Sequence, residues 1–166
     1  MPERRIVVDE LHLDYEGLFD ARELFRLIEN FFFERKYDKR EIKNIERVSA
    51  TGKDIEIVLM PWRTISDYAK YEIKLRIWIK GMKEVEVKKD DMKLKLNQGK
   101  ISMIIDAYLT TDVEGHWEGK PFFFFLRTIF DKYIFRLYIS KWENGLIQHV
   151  KELHSEIKSF LNLQRF

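Results

Sequence analysis

The residues best suited to bind a metal or move a proton near neutral pH are four histidines, His12, His116, His149 and His154. His149 and His154 fall in one helical stretch, five residues apart, which sets them about 140° apart around a helix. A helical zinc pair needs a spacing of four so that both rings share a face. No carboxylate motif completes a site either, and the spacing points to structural or surface histidines. His116 sits between Gly115 and Trp117, with Glu114 and Glu118 close by. A histidine beside acids can serve as a general base, yet the same grouping is ordinary in a polar turn. No catalytic residue, metal or cofactor is assigned on this basis, and the chain reads as a non-enzyme.

Residue types exclude several other chemistries. There is no cysteine, so disulfides, thiolate nucleophiles and cysteine zinc sites are impossible. The glycines never fall into a G-x-G-x-x-G or G-x-x-x-x-G-K pattern, and there is no G-x-S-x-G elbow. Lys and Arg number 30 and Asp and Glu 28, a net charge of +2. A dedicated nucleic-acid binder carries a concentrated basic excess instead. Lys74, Arg76, Lys80, Lys93, Lys95 and Lys100 could align on one sheet face around Trp78 as a surface for single strands. Glu72, Glu84 and Glu86 are interleaved to neutralise them across strands, so nucleic acid is not the expected partner.

The surplus lies in apolar residues. Phe122-Phe123-Phe124-Phe125 opens a segment running to Trp142, the most apolar of the chain. It contains Arg127, Asp131, Lys132, Arg136 and Lys141, too many charges for a transmembrane span. On a helical wheel Phe123, Leu126, Ile129, Phe130, Tyr133, Ile134 and Leu137 share one arc of about 140°. Phe124, Phe135, Tyr138 and Trp142 occupy a second arc. One helix on one sheet needs a single apolar face, so the second arc is the candidate interface. It would pack on the last helix, a second copy in a homodimer, or an apolar ligand or lipid surface.

The rest of the chain supplies the frame. Hydrophobic residues make up 45% of the 166, enough for one domain spanning residues 1–166 with its own core. A strand is expected over Arg4–Tyr15, then a helix over Ala21–Lys36 with Asp20 as N-cap and Glu23 three residues on. Leu24, Ile28, Phe31 and Phe32 recur at helical spacing. Six strands are expected next, over Glu41–Ala50, Asp54–Ile65, Tyr71–Lys80, Glu84–Lys88, Met92–Leu96 and Ile101–Val113, with Asn97-Gln98-Gly99 as a hairpin loop. Pro61 marks an edge or bulge. Tyr71, Ile73, Leu75, Ile77 and Ile79 alternate with polar residues, the pattern of a half-buried antiparallel strand. After Pro121 comes a helical segment to about Ile139, a break at Trp142–Gly145, and a last helix to Leu163. Leu146, Val150, Leu153, Ile157 and Phe160 form that helix's apolar stripe.

The expected fold class is α+β: a curved seven-stranded antiparallel sheet, a helix after strand 1, and a long C-terminal helical segment. This order resembles the helix-grip fold of the START/SRPBCC (Bet v 1-like) superfamily over nearly the whole chain. The resemblance implies an apolar cavity between sheet and last helix, holding a hydrophobic small molecule or lipid. Tyr71, Ile73, Leu75, Ile77, Met103 and Ile105 would form one wall, Ile129 and Tyr133 the other, with Arg63, Asp106 or Tyr108 as polar anchors. The alternative is a cavity-less interaction domain, a homo-oligomer or complex subunit. No secretory leader is recognisable; with no cysteine and abundant Lys, Glu and Ile, a cytoplasmic protein is expected, from a hot environment by composition.

Overall fold

Alternation along one long strand decides which side of the sheet is buried. From Ala69 to Ile79 every odd residue is buried, and from Lys70 to Trp78 every even one is partly exposed. The computed structural model describes residues 3–111, 121–130 and 136–163. Its elements are β1 (Glu3–Phe19), α1 (Ala21–Glu34), β2 (Glu41–Ser49), β3 (Gly52–Leu59), β4 (Trp62–Thr64), β5 (Ala69–Lys89), β6 (Met92–Thr111), α2 (Pro121–Phe130) and α3 (Arg136–Leu163). The strands form an antiparallel sheet in the order β1-β6-β5-β3-β2, with β4 also paired to β5. This is an α+β arrangement in which a sheet is covered by a C-terminal helix, compatible with a helix grip.

The sheet has six strands among the described residues, not seven. The segments expected as Tyr71–Lys80 and Glu84–Lys88 are one strand, bent where the register shifts between Lys80 and Lys83. Gly81 sits at that bulge with φ 62°, a conformation costly for residues with a Cβ. The expected loop at Asn97-Gln98-Gly99 is also strand, paired to β5 and to the end of β1. The turn expected at Asp90-Asp91 is there, both residues with positive φ, as a two-residue hairpin requires. Asn97 instead supports the start of α1. Its side-chain oxygen accepts the Ala21 N–H at 3.1 Å, beside the Asp20 cap on Glu23 N–H. Pro61 divides the strand expected over Asp54–Ile65 into β3 and β4.

The core lies between the inner sheet face and two helices. Helix α3 contributes Leu146, Val150, Leu153, Ile157 and Leu161, all buried, and α1 contributes Leu24, Ile28, Phe31 and Phe32. Helix α3 passes through Gly145 without the expected break. A Cβ there would lie 2.7 Å from the Tyr71 hydroxyl, so glycine at this position makes room for the sheet rather than ending a helix.

The outer face is closed by charge pairing. Arg4 bridges Glu72 at 3.1 Å and stacks over Tyr108, while Lys70 also reaches Glu72. Asp106 is 4% exposed. One of its oxygens accepts from Arg76 and the other from the Glu10 N–H, both at 2.8 Å. Glu10 has φ 49° where β1 shifts register between Val8 and Leu11, and the carboxylate holds that strained bulge in place. Asp106 and Tyr108 thus point away from the helix-covered face and cannot anchor a ligand there.

Removing Asp106 leaves a partly buried guanidinium nitrogen of Arg76 and the Glu10 backbone N–H without their acceptor. Asp106→Ala is expected to lower unfolding free energy by about 2–3 kcal/mol, and Asp106→Asn, which keeps an acceptor, by less. Urea denaturation measures both; an Ala variant as stable as the parent would show that the bulge holds without it.

Candidate functional site

A polar cluster sits at one end of the otherwise apolar inner face, and local backbone geometry builds it. At the C-terminus of α1, Lys36 adopts φ 58°. Lys36 N–H bonds to Phe33 O at 3.0 Å and Tyr37 N–H to Phe32 O at 2.9 Å, the paired bonds of a Schellman turn. That turn sends Tyr37 back into the core, where it is 7% exposed. Its ring meets Phe32 edge-on at 5.5 Å, and its hydroxyl lies 2.8 Å from His149 Nδ1 on α3. The His149 ring also meets Tyr71 edge-on at 6.0 Å. The Tyr71 hydroxyl donates to the Trp142 carbonyl at 2.7 Å. Arg63 pairs opposite Tyr71 in the β4–β5 register, so both side chains leave the sheet on the same side.

The electrostatics of the cluster follow from burial and two guanidinium groups. Burial pushes the Tyr37 and Tyr71 phenols upward, so both stay protonated. Burial pushes the His149 imidazole down, and the positive charges of Arg35 and Arg63 push it further the same way. With the imidazole neutral and the phenol protonated, the Tyr37 O–H donates to Nδ1 and the ring proton resides on Nε2. Arg35 bonds Glu152 Oε2 through two nitrogens, at 2.8 and 3.2 Å, and covers the Phe31 ring. Those bonds hold the Glu152 carboxyl below its ordinary range.

Tyr37 also borders a pocket of about 290 Å³. Ile28, Phe32, Phe33, Leu59 and Pro61 give it an apolar lining, with Glu29, Asn30, Lys39 and Arg40 around it. Phe33 is 82% exposed. The pocket lies between α1 and the end of β3, where Pro61 interrupts the strand. Apolar walls with few polar groups suit an apolar molecule or chain held by burial, with charged groups to meet a polar end.

The expected cavity wall occupies a different place. Tyr71, Ile73, Leu75, Ile77, Met103 and Ile105 do share one face, each at most 5% exposed, and they pack in one cluster with the α3 stripe. Ile129, expected on the opposite wall, is 44% exposed on α2, and from the same expected core arc Leu126 on α2 (39%) and Leu137 on α3 (74%) are exposed too. Of the second arc, Tyr138 is 50% exposed. Trp142 packs against the core and lies tilted on Tyr138 at 6.0 Å. Tyr133, Phe135, His116 and the Phe124 side chain lie outside the described residues. The Tyr37–His149 pair left no sequence signal, because Lys36 stands where a helix-ending glycine would have drawn notice. His154 is elsewhere, its Nε2 3.2 Å from the His12 carbonyl. Among the described residues no group of three or more His, Asp or Glu could hold a metal ion.

No protein-family model matches the chain, and no curated protein matches it.

Two outcomes test the cluster. A depressed His149 pKa means that the unfolded chain binds the extra proton first. Stability is then full above pH 6.5, the ordinary histidine value, and falls as pH drops below it toward the lowered folded value. Thermal melts from pH 8 to 5 should show the loss in the parent and less of it in His149→Gln, once the other titrating groups are subtracted as a common background; identical profiles would refute the assignment. Gly145→Ala should destabilise by about 1–2 kcal/mol despite better helix propensity, because the new methyl displaces the Tyr71 hydroxyl. Combined with Tyr71→Phe the cost should shrink, which a double-mutant cycle measures.

Proposed function

We propose that the chain is a non-enzymatic binding module for a hydrophobic small molecule or a single lipid chain. The observation that carries this is the apolar pocket beside α1, lined by Ile28, Phe32, Leu59 and Pro61 with the exposed Phe33 at its edge. Its volume of about 290 Å³ is near the lower end of small-molecule sites. Tyr37 supplies a fixed, protonated phenol beside it, Lys39 is paired with Glu29 at its rim, and Arg40 supplies a cation for a ligand with an anionic end. The helix-grip resemblance to the START/SRPBCC superfamily supports a hydrophobic ligand as well, although there the ligand would lie between sheet and last helix. Here α3 side chains pack against the residues expected to line that space, so the pocket beside α1 is the better location.

That packed face favours one second reading, a closed interaction domain acting as a homo-oligomer or complex subunit. Binding of a fluorescent fatty acid, with native mass spectrometry of the purified chain, separates the two. The ligand reading expects probe uptake and a co-purifying apolar molecule. Phe33→Asp, an exposed position with little effect on folding, should weaken uptake about tenfold or more by placing a carboxylate at the pocket edge. Absence of both signals across repeated preparations would reject it and leave the interaction reading.

A further inference from the structure

The sheet opens a second, polar hollow where β5 bends. The register shifts between Lys80 and Lys83. Beside that bulge lies a space of about 380 Å³ bordered by Lys80, Lys83 and Lys100, with Glu16, Thr51 and Gln98. Gly17, Gly81 and Gly99 border it as well. A Cβ on Gly81 would meet nothing within 4 Å, so the backbone there is open to close approach by a ligand. The hollow shares no residue with the pocket beside α1 and lies at the other end of β3.

Charge sets this hollow apart. Lys80 stands directly opposite Lys100 in the β5–β6 ladder, a like-charged pair that costs sheet stability. Lys39, Lys43, Lys53, Lys70 and Lys95 each bridge a glutamate. Among the described residues Lys80, Lys83 and Lys100 bridge none. Two acids beside the bulge already have partners: Asp54 accepts the Gly81 N–H at 2.8 Å, and Glu84 pairs with Lys95. Glu16 faces Lys100 in the β1–β6 register without bridging it, and it is the one acid lining the hollow. Three ammonium groups against one carboxylate leave a surplus of two positive charges. That surplus, with the Thr51 hydroxyl and the Gln98 amide as neutral donors, matches a dianionic phosphoryl group.

We propose that this hollow binds a dianionic phosphoryl group, as free phosphate or as the end of a small phosphate ester. The ammonium groups of Lys80, Lys83 and Lys100 hold its oxygens, and the anion relieves the repulsion between the two opposed lysines. Binding here needs no ligand in the pocket beside α1, so Phe33→Asp should leave it unchanged.

Amide NMR of the full chain at pH 8, where phosphate is dianionic, tests this by titration with sodium phosphate, with glycerol phosphate, and with sodium chloride at matched ionic strength. Phosphate or the ester should give saturable shifts at Thr51, Gly81 and Gly99 that chloride does not reproduce. Tighter binding of the ester assigns the site to esters, and equal binding assigns it to free phosphate. Lys80→Gln combined with Lys100→Gln should weaken binding about tenfold or more. Glu16→Gln should strengthen it roughly threefold, because the opposing charge is gone. Lys88→Gln with Lys93→Gln removes another like-charged pair of the same ladder, outside the lining, and should change binding about twofold at most. All of these side chains are exposed, and thermal melts give a second readout: phosphate should raise the Tm of the parent but not of the Lys80–Lys100 variant. The proposal is overturned if phosphate and ester act no differently from chloride, if the Lys88–Lys93 variant loses as much binding as the Lys80–Lys100 variant, or if Glu16→Gln weakens binding.

Discussion

The structure depends on one contact surface, the inner face of the sheet against the apolar stripe of α3. Ile73, Leu75, Ile77, Met103 and Ile105 lie in one core cluster with Leu146, Val150, Leu153, Ile157 and Leu161, and every one is at most 1% exposed. Burying such a side chain contributes about 1.5–3 kcal/mol, so the surface outweighs any single polar interaction in the molecule. It also sets the distance between helix and sheet. At Tyr71 the hydroxyl lies 2.7 Å from where a Cβ at position 145 would stand, so glycine makes room for it, and α3 runs on across that position.

With the inner face committed to packing, the outer face must solve a different problem. Its residues alternate with the core row and are largely charged, and they pair with one another across strands. The pairs Arg4–Glu72 and Arg76–Asp106 neutralise cations that would otherwise form a basic surface. Asp106 goes further, because it ties β5 to a strained bulge in β1. The sheet's edges and bends are thus held by polar groups and its centre by apolar ones.

The core leaves two apolar surfaces open. One is the end of the inner face, where Tyr37, Arg63, Tyr71 and His149 bring polar groups into an apolar setting beside the pocket of α1. The other is α2, whose stripe the described core does not absorb.

The sequence alone determined the class, the buried row of β5, the Asp20-capped helix and the α3 stripe, because each follows from local periodicity or a capping residue. It misjudged continuity. Gly81 and Gly99 looked like chain turns but lie within long strands, and Gly145 looked like a helix end but is a point of close approach. Glycine permits all of these conformations, and only the neighbouring element decides which is used. The polar cluster was illegible for a related reason: Tyr37 and His149 are 112 residues apart, joined by a helix-ending turn on a non-glycine residue. The wheel of the Phe-rich segment assumed one continuous helix with a core face, and tertiary structure left Leu126, Ile129 and Leu137 exposed instead. Periodicity reports that a face is apolar; what covers it depends on space, and here α3 had already filled the sheet.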